Sequence, residues 1–359
     1  MKIRVNLRGE AVEISSPVGA RLLDYLQENA VPVNAACGGN GTCHKCRIRV
    51  TDGFLAITPK DREAFRESEL ASGWRLSCQS RPKTNVNLEV PAAETLRNRP
   101  RITQHNDLPE FESGREACRP GLVCDLGSTG VVVAIVDESA VSNGSQSLVE
   151  AHLLNRQVRF GADVMTRLHQ AQLKGIEPLR DSLLETLKIC LDAVRVAAPN
   201  LFAKAFPGGM VCSGNSAMTS FLLNRSTEKL AVAPFQPDSR EAGEFVAEKL
   251  DGLKVSTLPL LAGFVGGDTV AGILAVEALR AEEPWVLIDI GTNTEIVVNN
   301  GRGELWLSSA PAGPAFEGGN INQGMRAESG AISVARYNSG WSVETTAKPC
   351  TRQVPGHDW

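Results

Sequence analysis

The segment Cys37-Gly-Gly-Asn-Gly-Thr-Cys43-His-Lys-Cys46 holds three cysteines and three glycines, and a fourth cysteine, Cys78, follows much later in the chain. One glycine-rich loop with three thiolates, completed by a distant fourth, is the ligand pattern of a [2Fe–2S] cluster. Because glycine tolerates positive φ, the loop can wrap tightly and turn its N–H groups toward sulfur. The sequence therefore predicts that Cys37, Cys43, Cys46 and Cys78 are the metal ligands.

The spacing of these cysteines indicates which class of [2Fe–2S] ferredoxin the segment is like. Five residues separate Cys37 from Cys43 and two separate Cys43 from Cys46, one more in the first interval than in plant-type ferredoxins. This spacing resembles the adrenodoxin-like branch. A zinc site and a disulfide pair are the alternatives. Four-cysteine zinc sites usually take two Cys-x-x-Cys pairs, and disulfides are rare in the cytosol.

Length and charge limit the classes of protein. A chain of 359 residues has room for about two or three domains. Its net charge of −4 gives no electrostatic reason to expect nucleic acid or an anionic membrane as a partner. No apolar run approaches the length of a membrane span, and the N-terminus lacks the apolar core of a signal peptide. We predict a cytoplasmic protein with no nucleic-acid or membrane partner.

The hydrophobic pattern predicts an α+β domain followed by an α/β region. Residues 1–91 alternate as a hairpin, a short helix and further strands around the cluster loop, which is the β-grasp ferredoxin pattern. Residues 92–120 are polar and rich in proline and are predicted to be a linker. We expect a middle region at 121–205 and a second α/β region at 206–359.

A motif occurs twice in the α/β region. Each copy is a strand, Asp-x-Gly, a turn rich in hydroxyl groups, and a second strand. An aspartate at a strand end can hold Mg²⁺ through water, the glycine permits a tight turn, and hydroxyl and N–H groups can surround phosphate. An ordinary Asx turn is the alternative. The predicted phosphate and Mg²⁺ contacts are Asp125, Gly127, Ser128, Thr129, Asp289, Gly291, Thr292, Asn293 and Thr294.

Two further acidic residues are candidate catalytic groups. Asp268 follows two glycines at a predicted helix start, where it could hold the metal or a nucleophilic water. A plain helix N-cap is the alternative. Glu317, within Gly-Pro-Ala-Phe-Glu-Gly-Gly, could contact the ligand whose phosphates these turns would hold, or lie at the rim of the cleft around that ligand.

The two copies resemble the phosphate-1 and phosphate-2 hairpins of the sugar kinase/Hsp70/actin (ASKHA) superfamily. Together with the ferredoxin segment and the stretches 155–164, 214–219, 263–269 and 309–321, they resemble the reductive activators of corrinoid-dependent enzymes. The resemblance covers residues 1–345. It implies a β-grasp ferredoxin domain fused to an ASKHA-type ATPase region, in which ATP and Mg²⁺ lie in a cleft between two related halves and contact the two hairpins.

The resemblance also implies a function. Such activators use ATP to return a Co(II) corrinoid to Co(I), with electrons passing through the [2Fe–2S] cluster. The implied partners are a corrinoid protein or corrinoid-dependent methyltransferase and an unidentified low-potential electron donor. A homodimer is a further possible assembly of the chain. The alternatives are a ferredoxin-type electron-transfer protein whose α/β part only docks a partner, and a small-molecule kinase.

The energetics explain why the two modules would be joined. A [2Fe–2S] ferredoxin lies near about −400 mV, and Co(I) formation needs a lower potential. A gap of roughly 200 mV costs about 5 kcal/mol per electron, which ATP coupled to a conformational change can supply.

Compared with the family pattern, the chain stops at Trp359, before the adenosine-binding segment. We therefore expect an incomplete second ATPase half and weak or absent ATP binding.

Overall fold

The computed structural model describes residues 1–7, 10–29, 31, 33, 35, 37–90, 100–104, 119–137, 147–161, 163–276, 283–291, 293–312, 332–337, 341–345 and 352–354. These residues fall into two compact units. One comprises Met1–Leu287 and Val297–Ser308, and the other comprises Ile288–Ile296 and Ser309–Trp359.

The N-terminal domain is a five-stranded sheet with a helix packed on one face. Its elements are β1 (Lys2–Leu7), β2 (Glu10–Ser15), α1 (Leu22–Glu28), β3 (Arg47–Asp52), α2 (Pro59–Ala64), α3 (Glu67–Ala71), β4 (Trp74–Leu76) and β5 (Val86–Glu89). The strand order is β2-β1-β5-β3-β4, and only the β1–β5 pair is parallel. The alternating Ile3 and Val5 of β1 and the apolar face of α1 are buried in one core. The predicted β-grasp ferredoxin fold is confirmed.

A buried carboxylate joins the helical segment of this domain to the strand that precedes Cys78. One oxygen of Asp61 accepts hydrogen bonds from the N–H and the hydroxyl of Thr58, both at 2.7 Å, and so caps α2. Its other oxygen accepts the N–H of Leu76 at 2.7 Å. Asp61 is fully buried, so these contacts fix the end of β4, two residues before Cys78.

The next domain is a seven-stranded sheet covered by helices. Its elements are β6 (Arg101–Gln104), β7 (Pro120–Leu126), β8 (Gly130–Asp137), β9 (Ser147–Leu154), α4 (Val164–Lys174), α5 (Glu177–Ala197), α6 (Pro199–Ala205), β10 (Met210–Gly214), α7 (Ser216–Leu223), β11 (Glu244–Ala247), β12 (Leu253–Thr257) and α8 (Gly267–Ala275). The strand order is β11-β12-β10-β7-β8-β9-β6.

Strand direction in this sheet decides where a ligand can bind. β10 runs parallel to both β7 and β12, whereas the other neighbouring pairs are antiparallel. The β-branched run of β8 packs against the apolar face of α5 in a single core. Because the carboxyl ends of parallel strands meet at one edge, the turns after β7, β10 and β12 lie together.

The described part of the predicted linker contains a strand. Arg101–Gln104 forms edge strand β6 and pairs antiparallel with β9, with Ile102 opposite Ala151. Residues 91–99 and 105–118 lie outside the described residues. The sheet also combines strands from both sides of position 205, and the domain boundary proposed there stays a prediction.

The remaining strands form two small sheets. They are β13 (Trp285–Ile290), β14 (Asn293–Asn299), β15 (Leu305–Pro311), β16 (Ile332–Tyr337), β17 (Trp341–Thr345) and β18 (Arg352–Val354). The strand orders are β13-β14-β15 and β16-β17-β18. Val297 of β14 and Ile273 of α8 are buried together. Among the described helices, none is both long and apolar enough to span a bilayer.

We expect Asp61→Ala to lower the free energy of unfolding of the N-terminal domain by about 3 kcal/mol, because buried N–H groups lose a charged acceptor. Asp52→Ala, at an exposed position on β3, is the matched control and should change it by less than about 0.5 kcal/mol. Urea unfolding followed by circular dichroism measures both variants. Equal midpoints for the two would show that Asp61 does not anchor β4.

Candidate metal centre and phosphate-binding hairpins

The cluster loop lies between α1 and β3, and its backbone requires glycine. Gly38, Gly39 and Gly41 have φ values of 62°, 93° and 75°, which side chains rarely tolerate. Space is restricted as well, because a Cβ on Gly39 would lie 2.8 Å from Nη1 of Arg21. The loop can therefore fold tightly around its thiols.

The four predicted ligands gather as two pairs of thiols. Cys37 is hydrogen-bonded to Cys43, and Cys46 to Cys78. All four are free cysteines. A [2Fe–2S] cluster takes two thiolates on each iron, so two adjacent pairs fit this group. Among the residues that the structure describes, no group of three or more His, Cys, Asp or Glu side chains is placed to hold a metal ion.

Within each pair one thiol is already biased toward the thiolate. The hydrogen bond from Cys43, aided by donors on Thr42, lowers the pKa of Cys37 to about 3. The same contact, together with burial, raises the pKa of Cys43. In the second pair, the hydrogen bond from Cys46 lowers the pKa of Cys78 to about 7, and that contact and burial raise the pKa of Cys46.

Polar groups around the second pair are directed at sulfur. Nε2 of Gln79 donates to Sγ of Cys78 at 3.3 Å. The hydroxyl of Ser77 is buried near Cys46, yet it makes no hydrogen bond of ordinary geometry within the described residues. Donors to sulfur stabilise a bound cluster, so this environment also fits a [2Fe–2S] group.

The first predicted phosphate hairpin is a fixed turn between β7 and β8. Asp125 is exposed near the end of β7, whereas Ser128 is buried in the turn. Gly127 has no room for a side chain, because a Cβ there would lie 2.5 Å from the carbonyl oxygen of Gly130. Asn155 fastens the turn: its Nδ2 donates to the carbonyl of Gly127 at 2.9 Å, and its N–H donates to the carbonyl of Thr129 at 2.8 Å.

Two further segments meet at this edge of the sheet. A Cβ on Gly214 would lie 2.9 Å from the carbonyl of Leu126, and one on Gly266 would lie 2.5 Å from the carbonyl of Gly214. Because α8 begins at Gly267 with Gly266 as its cap, the N–H groups of its first turn lie at the carboxyl ends of β7 and β10, a favourable place for an anion.

Asp268 lies in the first turn of α8, and its carboxylate accepts the N–H of Thr269 at 2.8 Å. Since Gly266 occupies the cap position, the N-cap alternative for Asp268 is wrong. Its predicted catalytic role stays a prediction.

The second predicted hairpin joins β13 and β14. Asp289 is exposed on β13, and the N–H of Gly291 donates to the carbonyl of Asn293 at 2.9 Å. Asn293 and Thr294 open β14. Thr292 and Glu317 lie outside the described residues.

Sequence reasoning gave no role to Asn155 or Gly266, although both lie at the first hairpin's edge. A signal for each existed. Asn155 directly follows a strand, and Gly266 is one of two glycines before a helical pattern.

Three family models match consecutive parts of the chain. Residues 5–83 match the 2Fe-2S iron-sulfur cluster binding domain, residues 120–280 match the RACo middle region, and residues 283–353 match the C-terminal domain of RACo, the ASKHA domain. The N-terminal domain is thus a [2Fe–2S] ferredoxin-type domain, and an ASKHA domain follows it.

Individual relatives match either most of the chain or a short part of it. The chain is 26% identical to the corrinoid activation enzyme RamQ of Eubacterium limosum, over 95% of this chain and 66% of that protein. It is 40% identical to one component of the Na(+)-translocating NADH-quinone reductase of Methylococcus capsulatus, over 24% of this chain and 21% of that protein. The fold matches the solved structure of a reductive activator for a corrinoid, iron-sulfur protein with a TM-score of 0.55 at 23% identity, over 96% of this chain and 69% of that one. The chain spans about two thirds of the length of RamQ and of this activator.

We expect Cys78→Ser to remove most of the iron and labile sulfide from anaerobically reconstituted protein, because one of the two thiol pairs loses a ligand. The matched control is Cys190→Ala, a buried cysteine in α5, which should keep both. Iron and sulfide analysis with visible absorption decides the matter. Full cluster content in Cys78→Ser would exclude Cys78 as a ligand.

Proposed function

We propose that this chain reductively activates a corrinoid protein. The premise is its three matched domains, which place it with the proteins that join a [2Fe–2S] domain to the RACo middle and ASKHA regions. In this reaction the Co(II) corrinoid of the partner accepts one electron and becomes Co(I). The electron comes from a separate low-potential donor, and ATP drives the transfer.

The observation that carries the proposal is the pairing of the four thiols in a domain of ferredoxin fold. Cys37, Cys43, Cys46 and Cys78 would hold the [2Fe–2S] cluster, which supplies one-electron transfer when bound. Cys46 and Cys78 are buried, whereas Cys37 and Cys43 are partly exposed. Electron exchange with a partner is therefore proposed to occur on the side of Cys37 and Cys43.

The ATP part of the proposal is supported by the edge of the seven-stranded sheet. The turn at 125–129, which Asn155 holds in place, and the start of α8 offer N–H and hydroxyl groups at one edge. Anions bind favourably at such positions. We assign Asp125 and Asp289 to Mg²⁺, and the turn residues Gly127, Ser128, Thr129, Gly291, Thr292, Asn293 and Thr294 to phosphate. Asp268 and Glu317 are the candidate catalytic groups.

The partner is proposed to be a corrinoid protein or corrinoid-dependent methyltransferase. This part rests on the similarity to RamQ, a corrinoid activation enzyme, and to the reductive activator for a corrinoid, iron-sulfur protein. The alternative of a plain electron-transfer protein predicts the same cluster but no effect of ATP, so one assay separates the two.

The assay mixes the full chain, reconstituted with iron and sulfide, with cob(II)alamin or a corrinoid protein carrying it, and with limiting dithionite. We expect Co(I) absorbance to form faster with the chain than without it. Since ATP binding is expected to be weak, any further acceleration by Mg²⁺-ATP should require millimolar concentrations. Cys78→Ser should abolish the acceleration by the chain. Asp125→Ala should abolish only the effect of ATP, while Cys190→Ala should behave as the native chain.

No acceleration by the fully loaded chain would contradict the proposed activation. Acceleration that ATP does not change would instead support the electron-transfer alternative.

A further inference from the structure

The ferredoxin domain contacts the beginning and the end of α4 in the middle region. A Cβ on Gly38, next to Cys37, would lie 2.7 Å from Cγ2 of Thr166 and 3.5 Å from Nε2 of Gln170. The side chain of Gln27 on α1 donates to the carbonyl of Arg159. The cluster loop itself thus takes part in this contact between domains.

An ion pair beside the loop extends across the same contact. Nε and Nη2 of Arg21 donate to the two carboxylate oxygens of Asp24, at 2.8 and 2.6 Å. Nζ of Lys174, the last residue of α4, lies 3.3 Å from Oδ1 of Asp24. Asp24 therefore bridges a cation of its own domain and a cation of the middle region.

Arg21 is the member of this group that reaches the cluster loop. Its Nη1 lies against Gly39, where a Cβ would be only 2.8 Å away. The residues that follow it, Leu22 and Leu23, donate their N–H groups to the carbonyls of Ser80 and Ser77, on either side of Cys78. The backbone next to Arg21 is thus bonded to the segment that carries Cys78, while the guanidinium lies against the loop that carries the other three thiols. Its side chain is only 26% exposed, so water screens its charge incompletely.

We propose that an ion-pair network of Arg21, Asp24 and Lys174, here called the charge relay, raises the reduction potential of the cluster while the ferredoxin domain is in contact with α4. The charges act by their position and nothing is transferred along them. Reduction adds one electron, and hence one negative charge, which nearby cations stabilise. With Lys174 in contact, the three groups carry a net charge of +1; without it, Arg21 and Asp24 cancel. Separation from α4 would then lower the potential and make the same cluster a stronger reductant.

This relay would give the two domain positions different tasks. The docked position favours accepting an electron from the donor, and the separated position favours passing it to an acceptor of lower potential. The inference rests on the [2Fe–2S] cluster of the proposed function, but it does not depend on the identity of the acceptor.

The test is an EPR-monitored redox titration of the full reconstituted chain with mediators under anaerobic conditions. We expect Arg21→Gln and Lys174→Gln both to shift the midpoint to more negative values, Arg21→Gln by more because it is nearer. Lys174→Arg, which keeps the charge, should retain the native midpoint. So should Lys188→Gln, a matched loss of one lysine whose ion pairs are with Asp192 and Asp251.

Salt provides a second readout. The contact between Lys174 and Asp24 is partly exposed, so high ionic strength should weaken it. The midpoint of the native chain should then approach that of Lys174→Gln. If Arg21→Gln does not retain its cluster, Lys174→Gln decides alone, because Lys174 lies in a different domain from the thiols.

A native midpoint in Lys174→Gln with a full cluster would overturn the relay and leave the proposed function intact. Failure of the chain to take up any [2Fe–2S] cluster would overturn the proposed function and the relay together.

Discussion

Four thiols from two distant segments must meet around one small inorganic group, and much of the N-terminal domain follows from that requirement. The glycine loop brings three of them together through backbone conformations that other residues rarely adopt. The fourth depends on β4, whose end the buried carboxylate of Asp61 fixes through the N–H of Leu76. The sheet and α1 hold these two segments at a constant separation. Loss of either anchor would therefore affect the metal centre before the rest of the protein.

In the middle region, a few close contacts gather several turns at one edge of the seven-stranded sheet. Parallel alignment of β7, β10 and β12 gathers three turns at one edge. Glycines at 127, 214 and 266 allow the chain segments to approach within the space of a missing side chain. Asn155, which directly follows β9, then ties the first turn to the end of that strand. An edge built in this way presents backbone N–H groups to an anion without a long flexible loop.

Features encoded within short stretches could be predicted from sequence. The cysteine loop and the alternation of β1 each lie within a few consecutive residues. Contacts between distant residues could not. Lys174 and Asp24 are 150 positions apart, and neither carries a motif. β6 could not be predicted either, because Arg-Ile-Thr-Gln contains a single apolar residue. This segment becomes a strand by pairing with the edge of β9.

The central claim is that two pairs of thiols hold one [2Fe–2S] cluster, which supplies the electron for activation. Iron K-edge X-ray absorption on the reconstituted chain tests it most directly, because scattering from a neighbouring iron is visible only if two irons share bridging sulfide. We predict sulfur as the sole ligand type, with iron–sulfur distances of about 2.3 Å, near those of other tetrahedral metal thiolates, and one short iron–iron distance. Iron without a second iron neighbour, or zinc in stoichiometric amount without labile sulfide, would contradict the account.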